Sequence, residues 1–173
     1  MSGYTLELLP ELGPERFAEL TGHTVDPFET GRLGVTWMAK DVYFAVREPG
    51  GRLVAAAGVA RVPVTAGGAE LDIAGLGTVI VSPTERGRGL ARVAVGGIMD
   101  HARDVLGLDL ALLFCLPTRV PVYERLGWTL VEGEVTAHQP GGEIVMPART
   151  MRRVLREGAE WPEGALALRS LPM

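Results

Sequence analysis

Short apolar runs separated by glycine- and proline-rich turns dominate the first half of the chain. Their length and their β-branched and aromatic content are typical of strands. Gly75 and Gly77 interrupt the last of these runs, and glycines inside a strand often mark a bulge, so we expect a bulge near 75–77. The predicted strands are 5–9, 42–47, 53–64 and 69–81.

Apolar positions spaced by three and four residues predict helices. Pro14 begins the first, which runs through Leu20, because proline suits the first turn of a helix. A long helix is predicted from 87 to 105 with Gly107 as its C-cap, and a short one from 118 to 126. The apolar stripe of the long helix consists of Leu90, Val93, Ala94, Gly97, Ile98, His101 and Val105.

The remaining apolar runs predict a buried strand at 109–116 and two more near 128–137 and 143–150. Residues 21–40 have no clear period, and we expect them to form a loop or short helix that faces a ligand. No repeat or linker divides the chain. These elements together predict one α/β domain with a mixed sheet.

Composition narrows the possible functions. The formal net charge of −4 argues against nucleic acid as a partner, because neutralising phosphates requires an excess of Lys and Arg. A single cysteine excludes an internal disulfide, which agrees with a reducing cytoplasm. No secretory signal and no apolar run of membrane-spanning length is visible, so we expect a cytoplasmic protein without a membrane partner. A homodimer is left open.

A glycine-rich turn follows the strand at 69–81 and precedes the long helix. Gly87 and Gly89 let the backbone turn tightly and keep side chains away from an approaching anion. The free amides and the dipole of the helix N-terminus favour negative charge, and Arg86 and Arg88 add full positive charge. The turn therefore predicts a diphosphate-binding site.

Three other interpretations compete for this turn. A Walker loop requires Gly-Lys-Ser/Thr, whereas Gly89 precedes Leu90 and Ala91. A dinucleotide fingerprint requires a third glycine or alanine where Arg92 stands, although Asp109 is near the spacing of its acidic residue. A structural turn with two solvated arginines remains the third alternative.

Tyr123 lies in the short helix that follows the buried strand. A phenol at the open end of a sheet can act as a general acid. The alternative is an amphipathic aromatic residue with a buried ring and a hydroxyl at the surface. Cys115 ends its strand without a histidine nearby in sequence, so an acyl-cysteine route is disfavoured, and His101 is expected to pack against the sheet.

With these features in this order, the chain resembles the GNAT superfamily of acyl-CoA-dependent N-acyltransferases. That family has Gln/Arg-x-x-Gly-x-Gly/Ala after a bulged strand and, about thirty residues later, a tyrosine followed by glycine and an aromatic residue. The likeness covers residues 40–130, and 131–173 would hold C-terminal strands and a tail. The matching residues are Arg86, Gly89 and Ala91 in the signature, and Tyr123, Gly127 and Trp128 downstream.

The resemblance implies a fold and a mechanism. The fold is a mixed, mostly antiparallel sheet of six to seven strands, splayed at the cofactor slot and flanked by about four helices. Acetyl-CoA would be the co-substrate, no metal would be needed, and a primary amine of a small molecule would attack the thioester directly. Tyr123 would protonate the thiolate, and the Val79 amide would stabilise the oxyanion. Cofactor contacts would come from Val79, Ile80, Val81, Arg86, Gly87, Arg88, Gly89, Leu90 and Ala91.

One position departs from the family pattern. Several members carry a basic carboxylate where this chain has Gly77, so the group that deprotonates the amine is not identified. Candidates for this base are the carboxylates of Asp72, Asp26, Glu29, Glu132 and Glu134 and the terminal carboxylate at Met173. The residues predicted to line the acceptor site are Asp26, Glu29, Trp37 and Asp72.

The C-terminal segment has a looser likeness. Its Trp161-Pro162-Glu163-Gly164 stretch and Leu171-Pro172-Met173 end are similar to aminoglycoside 2′-N-acetyltransferases. That similarity makes an aminoglycoside or amino sugar a candidate acceptor. A protein or peptide amine is the alternative substrate, and a regulator that binds acyl-CoA without catalysis is the alternative without an activity.

Overall fold

The fold is built on one sheet. The computed structural model describes residues 3–173 of the chain. Ten strands and three α-helices form in this part of the chain, with single 3-10 turns between some of them. The strands are β1 Thr5–Leu9, β2 Val42–Arg47, β3 Leu53–Ala66, β4 Ala69–Val81, β5 Leu110–Cys115, β6 Thr129–Leu130, β7 Val135–Gln139, β8 Gly142–Val145, β9 Arg149–Val154 and β10 Leu166–Leu168. The helices are α1 Pro14–Thr21, α2 Leu90–Asp104 and α3 Val120–Arg125.

The strand order is β6-β9-β5-β4-β3-β10-β7-β8. In addition, β2 pairs with the first half of β3, and β1 pairs with β2. Only the β4–β5 and β7–β10 pairs are parallel. The expected mixed, mostly antiparallel sheet is therefore confirmed, with ten strands instead of six to seven and three α-helices instead of about four. None of the helices in residues 3–173 is long and apolar enough to cross a membrane.

The C-terminal half accounts for most of the extra strands. The strand predicted at 128–137 is two strands, β6 and β7, because Glu132, Gly133 and Glu134 form an exposed loop between them. The strand predicted at 143–150 is also divided, between β8 and β9. The three-residue β10 had no counterpart in the sequence prediction, since three residues are too few to show a period.

Helix α2 packs across β2, β3 and β4 and covers one face of the sheet. It begins at Leu90 rather than 87, because Gly87 and Gly89 have φ of +79° and +77°. Its predicted stripe was partly wrong: Val105 is 68% exposed, so the stripe leaves the core at its end. Gly97 lies against the Phe44 ring, which explains a helical glycine at this position. The buried residues of α2 are Leu90, Ala94, Val95, Ile98, Met99 and Ala102.

The bulge in β4 lies slightly beyond the expected position. Gly58 pairs with Gly77 and Ala56 with Ile80, so that Thr78 and Val79 oppose a single β3 residue. Thr78 has a φ of +53°, a left-handed conformation that is strained for a β-branched residue. The prediction of a bulge at 75–77 was therefore wrong by one to two residues, and the glycines precede it.

Candidate active site

Strands β4 and β5 diverge in the middle of the sheet. Their parallel pairing covers only three positions and ends at Leu76 and Leu113, although β4 continues to Val81. We call the gap beyond this point the slot. The Ser82 amide donates to the Val54 carbonyl of β3 at 2.8 Å. Because successive amides of a strand point to opposite edges, the preceding Val81 amide points away from β3 and toward the slot. The slot therefore exposes a free backbone edge.

The phosphate turn, residues 86–91, stands at one end of this edge. No side chain caps α2, whose N-cap is Gly89. Within residues 3–173, the amides of Gly89, Leu90 and Ala91 donate to no protein acceptor. A Cβ on Gly87 or Gly89 would meet no atom within 4 Å, so the turn is open on the outside. Unpaired amides at a helix N-terminus provide an anion-binding site.

The two arginines of the turn are held differently. Arg88 forms an ion pair with Glu85 at 3.1 Å. The buried Glu85 carboxylate also pairs with Arg52 at 3.3 Å and accepts a hydrogen bond from Tyr4 at 3.4 Å. Arg86 is exposed, and no ion pair of the described residues includes it. Arg86 is thus the arginine of this turn whose charge is not already partnered.

Tyr123 lies on the α2 side of the sheet, in α3. Its ring meets Trp128 edge-on, with centroids 6.4 Å apart, and the Trp128 amide donates to the Tyr123 carbonyl at 3.0 Å. Burial raises the pKa of the Tyr123 hydroxyl, the nearby Cys115 raises it further, and Arg119 lowers it in part. Tyr123 therefore keeps its proton throughout the physiological range, as a general acid must.

Cys115 ends β5 beside Tyr123. Burial raises the pKa of its thiol to about 11, so the thiolate is scarce at neutral pH. A thiolate is the reactive form of cysteine. The structure therefore agrees with the sequence prediction that Cys115 is not a nucleophile.

The predicted acceptor residues lie at different distances from the slot. The Asp26 carboxylate accepts hydrogen bonds from the Thr30 and Gly31 amides at 3.2 and 3.0 Å, which organise a 3-10 turn. Asp72 pairs with Arg61 at 3.6 Å and stands five residues before Gly77, roughly 16 Å along an extended strand. Asp26 thus has a local structural role, and Asp72 is remote from the slot.

Glu29 and Trp37 come closer to it. Glu29 approaches Arg119, at the start of α3, at 3.8 Å. The Trp37 ring packs against Phe114 of β5 with centroids 6.5 Å apart. The 21–40 segment therefore reaches the elements that border the slot, and Trp37 and Glu29 are its contacts there.

On the face opposite α2, the paired glycines Gly58 and Gly77 leave a depression that we call the notch. A Cβ on Gly58 would lie 2.7 Å from Lys40 Cγ. A Cβ on Gly77 would collide with Lys40 Cε and would lie 3.1 Å from Lys40 Nζ and 3.2 Å from the carboxyl carbon of Met173. Gly75 is covered in the same way by the Met173 side chain. The position of the family carboxylate is thus filled by Lys40 and by the carboxyl group of Met173, one of the base candidates from the sequence. The other two, Glu132 and Glu134, lie in an exposed loop.

Lys40 was missed by the sequence analysis. Its Nζ donates to the Met38 carbonyl at 2.9 Å, and burial lowers its pKa from 10.5 to about 8, with Asp41 acting in the opposite direction. A signal was available, because Lys40 is the only lysine in the sequence. The structure thus brings the phosphate turn, the bulge, Tyr123 and Lys40 together around one slot.

The sequence profile described as an acetyltransferase (GNAT) domain matches residues 22–131, more than half of the chain. The chain belongs to the GNAT family. It is an acetyl-CoA-dependent N-acetyltransferase, and the resemblance drawn from the phosphate turn and Tyr123 is confirmed at the level of the family. No curated protein matches the sequence significantly.

Solved structures with the same fold include several GNAT enzymes. The protein YhbS of Escherichia coli, determined in complex with CoA, is 17% identical with a TM-score of 0.64, covering 96% of this chain and 89% of that one. The ribosomal-protein-S18-alanine N-acetyltransferase of E. coli is 17% identical with a TM-score of 0.59, covering 91% and 97%. Spermidine/spermine N-acetyltransferase SpeG of Vibrio cholerae is 18% identical with a TM-score of 0.53, covering 89% and 94%.

Proposed function

We propose that this GNAT enzyme acetylates a primary amine of a small molecule by direct attack of the amine on acetyl-CoA. The observation that carries the proposal is the slot between β4 and β5, with an uncapped helix N-terminus at one end and Tyr123 beside it. An extended ligand with a diphosphate matches the free strand edge and the charge of the helix N-terminus. The amine must then reach the slot from the face opposite α2.

On the donor side, the chain offers backbone groups and one free arginine. The free edge at Val79, Ile80 and Val81 suits the amide-bearing pantetheine arm, which would bind like an added strand. The amides and glycines of the phosphate turn suit the pyrophosphate, with Arg86 adding charge. Val79 lies two residues before Val81 on the free edge, so its amide is the proposed donor to the oxyanion.

On the leaving-group side, Tyr123 is proposed to donate its proton to the departing thiolate. Its raised pKa supports this role, because the hydroxyl holds its proton until a strong base forms beside it. Direct attack needs no acyl-enzyme, and the buried, protonated Cys115 agrees with that route. The retained Tyr123 also speaks against a regulator that only binds acyl-CoA.

On the acceptor side, we propose a small amine rather than a protein. The 21–40 segment and the C-terminal residues cover much of this face: the Met38 amide donates to the Pro172 carbonyl at 2.7 Å, and the Thr36 amide donates to Gln139 at 2.8 Å. Trp37 and Glu29 are the proposed contacts of the substrate. A covered face suits a compact amine, and aminoglycosides and amino sugars belong to that class.

Release of free thiol from acetyl-CoA tests the proposal. The purified protein should release CoA with at least one member of a panel of polyamines, amino sugars and aminoglycosides. Peptides with free N-termini or lysines form the second arm. Faster turnover with peptides would favour the protein-acceptor alternative, and tight acetyl-CoA binding without turnover on either arm would favour the regulator.

A further inference from the structure

Lys40 stands out from the other basic residues of the chain. Of the 17 Lys and Arg residues, it alone is lysine. Many of the arginines are exposed or form surface ion pairs, whereas Lys40 is partly buried in the notch beside the slot. A chain that otherwise uses only arginine thus has its one lysine at the acceptor side of its active site.

The two residues differ in a property that matters here. Arginine does not lose its proton in proteins, whereas lysine does so readily when its ammonium is desolvated. A side chain needed only for positive charge could be arginine, as everywhere else in this sequence. At this single position the chain therefore has a side chain that can become a neutral amine.

The notch positions that amine next to the bulge of β4, where the proposed oxyanion donor Val79 lies. Gly58 of β3 and Gly77 of β4 are paired. Because neither has a side chain, the Lys40 stem lies directly over the two glycines, immediately before the bulge. Nζ is anchored by the Met38 carbonyl at 2.9 Å, as a donor, which leaves the lone pair of the neutral amine free. Tyr123, by contrast, packs on the α2 face of the sheet.

We propose that Lys40 is the general base of the reaction, its neutral Nζ accepting the proton that the acceptor ammonium must lose before it can attack the thioester. This inference rests on the proposed function. It assigns the missing carboxylate role to an amine that occupies the same place. An acid on one face of the sheet and a base on the other would then act across the slot.

The surroundings of Lys40 agree with this role. Burial lowers its pKa to about 8, which is the range of an effective base at physiological pH. The charged or titratable groups that face it are the Asp41 carboxylate, which raises the pKa in part, the Tyr43 hydroxyl, which also contacts Thr78, and the Met173 carboxyl group. The carboxyl carbon of Met173 lies 3.2 Å from the Gly77 Cβ position that is itself 3.1 Å from Nζ. Asp41 is partly engaged elsewhere, since it accepts the Arg61 amide at 2.7 Å.

The protons balance without a further reactant. Lys40 takes one proton from the substrate ammonium and passes it to solvent. The free amine then bonds to the thioester carbon, the carbon–sulfur bond breaks, and Tyr123 protonates the thiolate. The second amine proton returns to Tyr123, directly or through water. Amide, free CoA and one released proton are the products.

The single lysine allows a direct measurement on the intact protein. With ¹³C-lysine incorporated, only one Cε resonance appears, and its chemical shift against pH reports the pKa of Lys40. We expect a midpoint near 8, well below the ordinary value of 10.5. A midpoint at the ordinary value would overturn the proposal, and this readout does not depend on finding the acceptor.

The pH dependence of kcat/KM for CoA release then tests the role. In the wild type it should rise with pH through about 8 and then level off. Lys40→Met keeps the stem, and Lys40→Arg keeps the charge but cannot deprotonate. Both should lose about 10²- to 10⁴-fold in kcat/KM, the usual range for a lost base. The remaining kcat/KM of both variants should rise with pH only as the substrate amine itself deprotonates, at its own pKa. The Kd of acetyl-CoA should stay unchanged.

Arg16→Met, on the exposed surface of α1, is the control for the loss of one positive charge. It should leave the pH dependence of kcat/KM as in the wild type. A wild-type profile in both Lys40 variants would overturn the proposal. So would stoichiometric acetylation of Lys40 in turning-over enzyme, seen by mass spectrometry, because an amide is not a base. If no amine on either arm of the panel reacts, the proposed function fails, and the ¹³C titration still reports on Lys40.

Discussion

Lys40 Nζ lies 3.1 Å from the point where a Cβ on Gly77 would stand, so the two residues share one position in the active site. The absence of a side chain at 77 is what admits the amine. Gly77 and Lys40 therefore depend on each other, because any side chain at 77 would collide with the lysine stem. The missing carboxylate at this position does not imply a missing base.

Gly77→Ala should displace Lys40, because the new methyl group would collide with its Cε and press on the Met173 backbone. We expect a loss of about 1–3 kcal/mol in the free energy of unfolding, as for overpacked sites, together with a fall in kcat. Denaturant unfolding and CoA release measure the two effects. Unchanged stability and activity would show that the notch has more room than the structure describes.

Lys40→Met should stabilise the protein at neutral pH, because the folded state then no longer buries an ammonium. The native pKa of about 8 lies below the ordinary 10.5, so between these values the unfolded state binds more protons and wild-type stability rises with pH. The advantage of the variant, on the order of 1–3 kcal/mol below pH 8, should shrink toward pH 10.5. Urea titrations at pH 7 and 10 measure it; a constant difference would contradict it.

Tyr123→Phe should lower kcat by roughly 10²-fold or more while leaving acetyl-CoA affinity nearly intact, since it removes only the proton donor. Thiol release and calorimetric binding separate the two quantities. Cys115→Ala is the control from the same pocket and should retain kcat. Unchanged kcat in Tyr123→Phe, with chemistry limiting the rate, would remove Tyr123 from the mechanism.

Arg86→Ala should weaken CoA binding roughly ten- to a hundredfold, the cost of one or two lost charge-assisted hydrogen bonds. Arg88→Ala should cost less, because Glu85 already holds its guanidinium. A CoA fragment without phosphates should bind both variants like the wild type. Equal losses for CoA and for this fragment would contradict the assignment of the turn to phosphate.

Two adjacent glycines of α2 should respond oppositely to alanine. Gly97→Ala inserts a methyl group into the Phe44 ring and should destabilise by about 1–3 kcal/mol. A methyl group on Gly96 meets no atom within 4 Å. Gly96→Ala should therefore stabilise by about 0.5–1 kcal/mol through helix propensity. Thermal unfolding of the pair checks how closely α2 packs on the sheet.

The sequence predicted the family and the elements around the slot, but it did not predict which residues meet on the face opposite α2. The turn at 86–91 and the helix of Tyr123 each follow a strand with a strong local signal, although the start of α2 was predicted three residues too early. Lys40 and Met173 meet Gly77 only because segments 37 to 133 residues apart in sequence fold onto one strand pair. No local period records such a meeting, and Asp72, a candidate on the same strand as Gly77, is remote from the slot.

The early end of the β4–β5 ladder has a consequence for the protein in solution. Beyond Leu76 the amides of β4 that face the slot have no strand partner among the described residues, so water must solvate them in the free enzyme. Hydrogen exchange at Val79 and Val81 should then be fast, while that of Ile80, which faces β3, is slow. Bound acetyl-CoA should slow the two exposed amides selectively, so that the substrate serves as a temporary eleventh strand of the sheet.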